Sequence, residues 1–295
     1  MLIVKIIYYT SGVTGSGRVV RGISIGNALS RKCARVDFTI LSSSPFAHLA
    51  DHFGFTHHEI PVEDEDKLTK TAYHDSELFQ TLISLNSDLL LVDLLWFPVY
   101  YLIEKLTCKK IFLWQRMDER FFTISLQDGT ISFNPKPYDL VLAIEPFKDS
   151  GPDRQINPLI IRNRDEVLTR QQAIKELKLD ENQQNCLLAY NGHPGDFDRV
   201  KKRYSYLSDV GYRMVTTTNY KEGLFPVVDY FNAFDLIICG ASYNSFWEVI
   251  YFDKEAIFVP TRTRFVSCER LIREYREYSF DENGADQLVD IMLNL

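Results

Sequence analysis

The chain has 295 residues, of which 45% are hydrophobic, 25% charged and 13% aromatic. That is material for a sizeable core in two domains or one large one, and it excludes a disordered or collagen-like chain. A formal charge of −7 argues against non-specific nucleic-acid binding, which needs Lys and Arg against phosphates, but it leaves room for a small phosphate-bearing ligand.

Met1 to Tyr9 is apolar except for Lys5 and reads as a parallel strand buried on both faces, not as a secretory leader. A Gly/Ser/Thr loop, Thr10 to Gly17, follows. Arg18 to Arg31 then has helical apolar spacing at Val19, Val20, Ile23 and Leu29. The alternation continues with a strand at Arg35–Leu41, a short helix at Pro45–Phe53, a strand at Phe55–Ile60 and a helix at Asp75–Leu85. Asp88–Leu95 is a buried strand, Val99–Leu106 a helix, and Lys110–Trp114 and Asp139–Ile144 are strands. Gly151, Pro152 and Pro158 mark a linker. Beyond it the spacing predicts a helix at Thr169–Leu177 with Thr169 as N-cap, strands at Asn185–Tyr190, Tyr212–Thr217, Leu236–Cys239 and Glu255–Val259, and helices at Asp196–Leu207, Ser245–Phe252, Ser267–Tyr278 and from Asp286. Strands alternating with helices predict α/β domains with mainly parallel sheets, here residues 1–150 and 151–295.

Five separated cysteines (Cys33, Cys108, Cys186, Cys239, Cys268) without a C-x-x-C pair read as reduced thiols of a cytoplasmic protein. No apolar run reaches the roughly 18 residues of a membrane span.

Two glycine turns stand out. Gly12-Val-Thr-Gly15-Ser16-Gly17 lies between the first strand and first helix, where backbone amides and a helix N-terminus favour an anion; a ligand-free tight turn is the alternative. It is not G-x-G-x-x-G, and Leu41-Ser42-Ser43-Ser44 replaces the acidic residue that a dinucleotide's ribose would need. The second turn runs from Asp235 through Gly240-Ala241-Ser242-Tyr243-Asn244-Ser245 to Glu248. The amides of residues 242–245 are candidate diphosphate donors. Glu248 stands where a carboxylate can take two ribose hydroxyls, or where it simply complements the helix dipole. Asp93, at a strand end, is a candidate general base or an ordinary loop carboxylate, and Asp118 and Glu119 are further candidates. His57-His58-Glu59 does not converge on a metal, because adjacent strand residues face opposite ways.

Three segments resemble the GT-B glycosyltransferases of family-28 type, the group around the lipid-II-forming N-acetylglucosaminyltransferase. They are Gly15-Ser-Gly17-Arg18-Val-Val-Arg21-Gly22, Asn157-Pro158 through Arg164-Asp165-Glu166 to Leu179, and Asp235 to Pro260. The resemblance implies two Rossmann-like domains facing across a cleft, with an acceptor side built around Gly12, Gly15, Ser16 and Gly17. It implies a donor side on which Glu248 binds ribose, Gly240, Ala241, Ser242, Asn244 and Ser245 form the phosphate turn, and Asn191, Gly192 and His193 form the opposing loop. Arg162, Arg164, Arg262 or Arg264 would meet the diphosphate. Arg18 stands where the family has a histidine sometimes proposed as the base, and arginine does not take that role at neutral pH.

The implied partner is a nucleotide-diphosphate sugar, UDP-linked, with an unassigned acceptor; a lipid-linked acceptor would add peripheral membrane contact. No cofactor or metal is expected, since amides and arginines can carry the phosphate charge. A non-catalytic nucleotide-sugar-binding relative and an NAD(P)-dependent oxidoreductase are the alternatives.

Overall fold

The computed structural model describes residues 4–12, 15–32, 35–147, 151–191, 194–218, 223–261 and 264–295. The chain divides into two compact units: Met1–Leu159 with Gly284–Leu295, and Ile160–Asn283.

In the first unit, β1 (Val4–Thr10) leads through the glycine loop into α1 (Gly17–Arg31), then β2 (Val36–Ser42), β3 (Thr56–Glu59), α2 (Glu77–Leu85), β4 (Leu89–Asp93) and β5 (Lys109–Trp114). A hairpin of β6 (Thr123–Leu126) and β7 (Gly129–Ser132) precedes β8 (Leu140–Ala143) and β9 (Arg154–Gln155). The main sheet is parallel, in the order β3-β2-β1-β4-β5-β8-β9. The apolar strand residues are buried on both faces, as in β1, where Ile6, Ile7, Tyr8 and Tyr9 are almost wholly covered. Gly22 and Gly26 let α1 lie close to the sheet. A Cβ on Gly22 would stand 2.7 Å from the Tyr8 ring, and one on Gly26 would stand 2.7 Å from Phe55.

In the second unit, α3 (Arg170–Leu177) starts at Thr169, which forms a capping box with Gln172 as its position predicts. Then come β10 (Asn185–Ala189), α4 (Pro194–Arg203), β11 (Arg213–Thr217), β12 (Leu236–Gly240), α5 (Tyr243–Tyr251), β13 (Ala256–Val259) and α6 (Cys268–Tyr275). Four parallel strands run β11-β10-β12-β13. Each unit is thus a Rossmann-like doubly wound sheet. The strand order reverses between β1 and β4 in one and between β10 and β12 in the other, and ligands favour the strand C-termini at such points.

Several elements differ from the sequence reading, among them β9, which lies in the stretch read as a linker. The last helix, α7 (Gly284–Leu293), belongs to the first unit, as do residues 151–159. Arg31 and Lys32 at the end of α1 pair with Asp286 and Asp290 of α7 at 2.8 Å each, and Gln287 accepts the Asn157 amide at 2.8 Å. Val99–Leu106, expected as one helix, forms 3₁₀ turns at Phe97–Val99 and Ile103–Lys105. Its buried residues Trp96, Val99 and Leu102 are three apart, a spacing that suits three residues per turn. The β6–β7 hairpin was not anticipated. No helix among the described residues is long and apolar enough to cross a membrane.

Candidate functional site

In the second unit the two sequence-predicted loops meet. β10 and β12 are hydrogen-bonded neighbours, so the residues after Ala189 and after Gly240 emerge side by side. The Tyr190 ring lies 3.6 Å from where a Gly240 Cβ would stand, and Thr261 lies 3.9 Å from it, so the loop after β13 also borders this turn. Ala241 is fully buried and its amide donates to the Val259 carbonyl at 3.3 Å. Ser242 is the N-cap of α5 by backbone conformation, yet its hydroxyl does not bond the first-turn amides; it donates to the Ser245 hydroxyl at 3.3 Å. Asn244 and Ser245 complete that turn, and Asn191 is exposed across from it. Gly192, His193 and Arg262 lie outside the described residues.

Behind this turn stands Glu248. Its residue is 7% exposed, and among the described residues its carboxyl has no hydrogen-bond or ion-pair partner. Burial, and secondarily the Asp229 carboxylate, push its pKa up to about 7. A helix-dipole role would favour an exposed carboxylate in the first turn. Glu248 is instead buried and a turn further in, an expensive position unless something else bonds to it.

The arginines assigned to the diphosphate have other partners. Arg162 holds Asp229 at 3.0 and 3.4 Å. Arg164 donates to the Tyr251 and Phe280 carbonyls, pairs with Asp281 at 3.0 Å and covers the Tyr251 ring. Arg162 thus meets a half-buried carboxylate, and Arg164 two backbone carbonyls and an exposed carboxylate, all within the second unit. Arg264 is different: it is exposed in the loop after β13, over the Phe265 ring, with no carboxylate partner among the described residues.

In the first unit the glycine loop sits at the β1/β4 reversal. Gly15 has φ +81°, a left-handed conformation that favours glycine. The Gly12 amide donates to the Ser43 hydroxyl at 3.2 Å, and Ser16 precedes α1 without bonding its side chain to the helix amides. Arg18 turns back so that its guanidinium donates to the Ser11 carbonyl, and Gly17 starts the helix beside it. Burial lowers the Arg18 pKa, but the group remains a cation and a donor, not a base.

Asp93, expected as a base, is fully buried and held by Arg21 through two bonds of 2.8 and 2.9 Å. The Tyr8 hydroxyl also donates to it and lies 2.7 Å from the Arg18 carbonyl, while Arg21 reaches Gln115 at 3.1 Å. Both oxygens of Asp93 are engaged and neither is exposed, so no acceptor hydroxyl reaches it in this arrangement. Its role is to tie β1, α1, β4 and β5 together. Leu94, directly after it, has φ 65°, strain that the turn out of β4 must absorb. Asp118 is exposed and paired with Arg120, which holds its pKa down at about 2. Sequence reasoning missed Tyr8, Arg21, Gln115 and Thr10, whose buried hydroxyl has no partner among the described residues. Only Thr10, a polar residue closing an apolar strand, left a signal.

No family model and no curated protein matches the sequence. Solved structures do. A Streptomyces sp. SF2575 glycosyltransferase, SsfS6, complexed with thymidine diphosphate, is 13% identical; the match covers 99% of this chain and 96% of that one with a TM-score of 0.60. The spinosyn forosaminyltransferase SpnP is 9% identical over 99% and 91% of the two chains, with a TM-score of 0.65. MurG of Acinetobacter baumannii is 11% identical over 99% and 91%, with a TM-score of 0.55. The fold is that of GT-B glycosyltransferases, as the three sequence segments imply.

Proposed function

We propose that this chain is a glycosyltransferase that takes a sugar from a nucleoside-diphosphate donor, UDP-linked, and passes it to an acceptor hydroxyl. The observation that carries this reading is Glu248: a buried carboxyl without a partner among the described residues, one turn behind a helix N-terminus whose N-cap hydroxyl is not used on the helix. A ribose offers two adjacent hydroxyl donors to that carboxylate, and a diphosphate offers anionic oxygens to the amides of residues 242–245. Both demands are met by one molecule. Full-length similarity in fold to glycosyltransferases, one of them holding thymidine diphosphate, supports the same reading.

In this reading Asn191, Gly192 and His193 face the donor from the β10 loop. Arg264 and Arg262 add positive charge to the leaving diphosphate, so that transfer proceeds without a metal. Asp93 acts as a positioning group. Free thiols at Cys108, Cys186, Cys239 and Cys268 suit a reducing compartment such as the cytoplasm. A second reading, a nucleotide-sugar binder without turnover, is favoured by one observation: the family's histidine position holds a cation and the nearest strand-end carboxylate is locked.

Thermal unfolding with UDP, dTDP and NADP tests the assignment. UDP at a hundredfold its Kd should add about 2.7 kcal/mol of stability, and Glu248→Ala should lose that gain while keeping the wild-type circular dichroism. Protection by NADP alone, or a full UDP response in Glu248→Ala, overturns the reading. Turnover with a panel of UDP-sugars and acceptors separates enzyme from binder.

A further inference from the structure

The first unit holds a cavity of about 330 Å³ that the donor reading does not use. It lies among the residues before α2, the connection between β4 and β5, and the segment after β7. Its walls are rings. Trp96 is 1% exposed and has its indole N–H bonded to the Phe121 carbonyl at 3.2 Å, so it is the fixed floor against which the half-buried rings of the cavity pack. Tyr100 packs edge-on to Trp96 at 5.9 Å and to Tyr101 at 5.0 Å, while Phe133 stacks on Tyr138 at 5.9 Å. These contacts fix the rings before any ligand arrives, which lowers the ordering cost of binding.

The polar groups of the lining are unspent. Among the described residues, none hydrogen-bonds the hydroxyls of Tyr73, Tyr100, Tyr101 or Tyr138. Asn134 accepts the Lys136 amide through its oxygen at 3.1 Å, which leaves its NH₂ as a donor. Burial raises the pKa of Tyr101 and Tyr138, so both stay protonated and able to donate. The charged lining residues are Lys70, Lys105 and Glu104, with Asp128 next to them outside the lining, where it accepts the Lys70 amide at 2.7 Å.

We propose that this cavity binds an uncharged ring carrying hydroxyl groups, a phenol or a sugar, with the ring faces against the half-buried rings of Tyr100 and Tyr101 and the hydroxyls on the tyrosine and Asn134 polar groups. Apolar faces with polar tips suit such a ring, and charges of both signs nearby single out neither an anion nor a cation. Binding here needs no nucleotide, so the proposal stands apart from the donor assignment.

The test uses the full chain and the fluorescent phenol 7-hydroxycoumarin in mildly acidic buffer, where the phenol keeps its proton, followed by anisotropy. Saturable binding of one probe per chain is expected, unchanged by UDP. Coumarin, which lacks the hydroxyl, should bind about tenfold more weakly, the loss expected for one or two unmet hydrogen bonds. Tyr101→Phe keeps every ring contact and should weaken the probe several-fold without weakening coumarin; Tyr100→Ala should weaken both at least tenfold. Competition by methyl β-glucoside identifies a sugar site, and competition by phenol alone an aromatic one. Non-saturable binding, or affinity indifferent to the probe's hydroxyl and to both substitutions, overturns the proposal, as does tighter binding of the probe's 3-carboxylate.

Discussion

Replacing Glu248 by Gln isolates the charge of the buried carboxyl while keeping its shape. Its pKa lies at about 7 against an ordinary value of 4.5, with burial the larger cause and Asp229 the second. A carboxyl that holds its proton more tightly when folded stabilises the native state below pH 4.5, and the advantage drains away as pH rises through about 7. At about 1.36 kcal/mol per pKa unit, the gap amounts to roughly 3 kcal/mol, on the order of 10 °C in the unfolding midpoint. Between pH 5 and 8 the wild type should lose that much, and Glu248→Gln should not. Hydrogen exchange of peptides from β12 and α5 reads this in the second unit alone, which matters because two units need not unfold as one. Nucleotide binding should run the other way. Ribose hydroxyls bond the ionised carboxylate, so UDP affinity should rise about tenfold from pH 6 to 8 in the wild type and stay flat in Glu248→Gln. Parallel pH profiles for the two proteins, or wild-type stability that climbs with pH relative to the variant, would refute the argument.

Asp93→Ala should destabilise the first unit by about 3–5 kcal/mol in urea unfolding, because it strands the buried Arg21 cation, and the double variant Asp93→Leu/Arg21→Met should recover most of the loss. Gly22→Ala should cost about 1–3 kcal/mol in the same measurement, since the new methyl meets a Tyr8 ring whose hydroxyl is bonded in place. Arg264→Ala should weaken UDP several-fold in calorimetric titration, with the loss shrinking at high salt, and leave stability unchanged; Arg162→Ala should instead lower stability through the unpaired Asp229.

Legibility followed the range over which each signal acts. Runs of apolar residues announced β1, β4, β5, β8, β10 and β12, because a strand buried on both faces carries its evidence in consecutive residues. The Thr169 cap and the turn from Gly240 into α5 were equally local. The Glu248 position was readable as a carboxylate on that helix, with a ribose contact and a helix-dipole role as equal readings; its burial is a fact of the fold that no local pattern carries. What the sequence hid were pairings across long separations. Nothing near Asp93 tells that Arg21, 72 residues earlier, fills both of its oxygens, and nothing near Arg162 announces Asp229. A strand-end carboxylate and a linker arginine look chemically free in one dimension. Whether they are free depends on which opposite charge the sheet order brings beside them. The same holds for α7: its ion pairs with the end of α1 draw on residues 255 and 258 positions away, so its place in the first unit was beyond any local pattern. The turn and helix around Glu248 lie contiguous in the chain, so their shape could be read from local sequence. Asp93 and Arg162 are isolated charges whose surroundings depend on a partner that only the fold supplies.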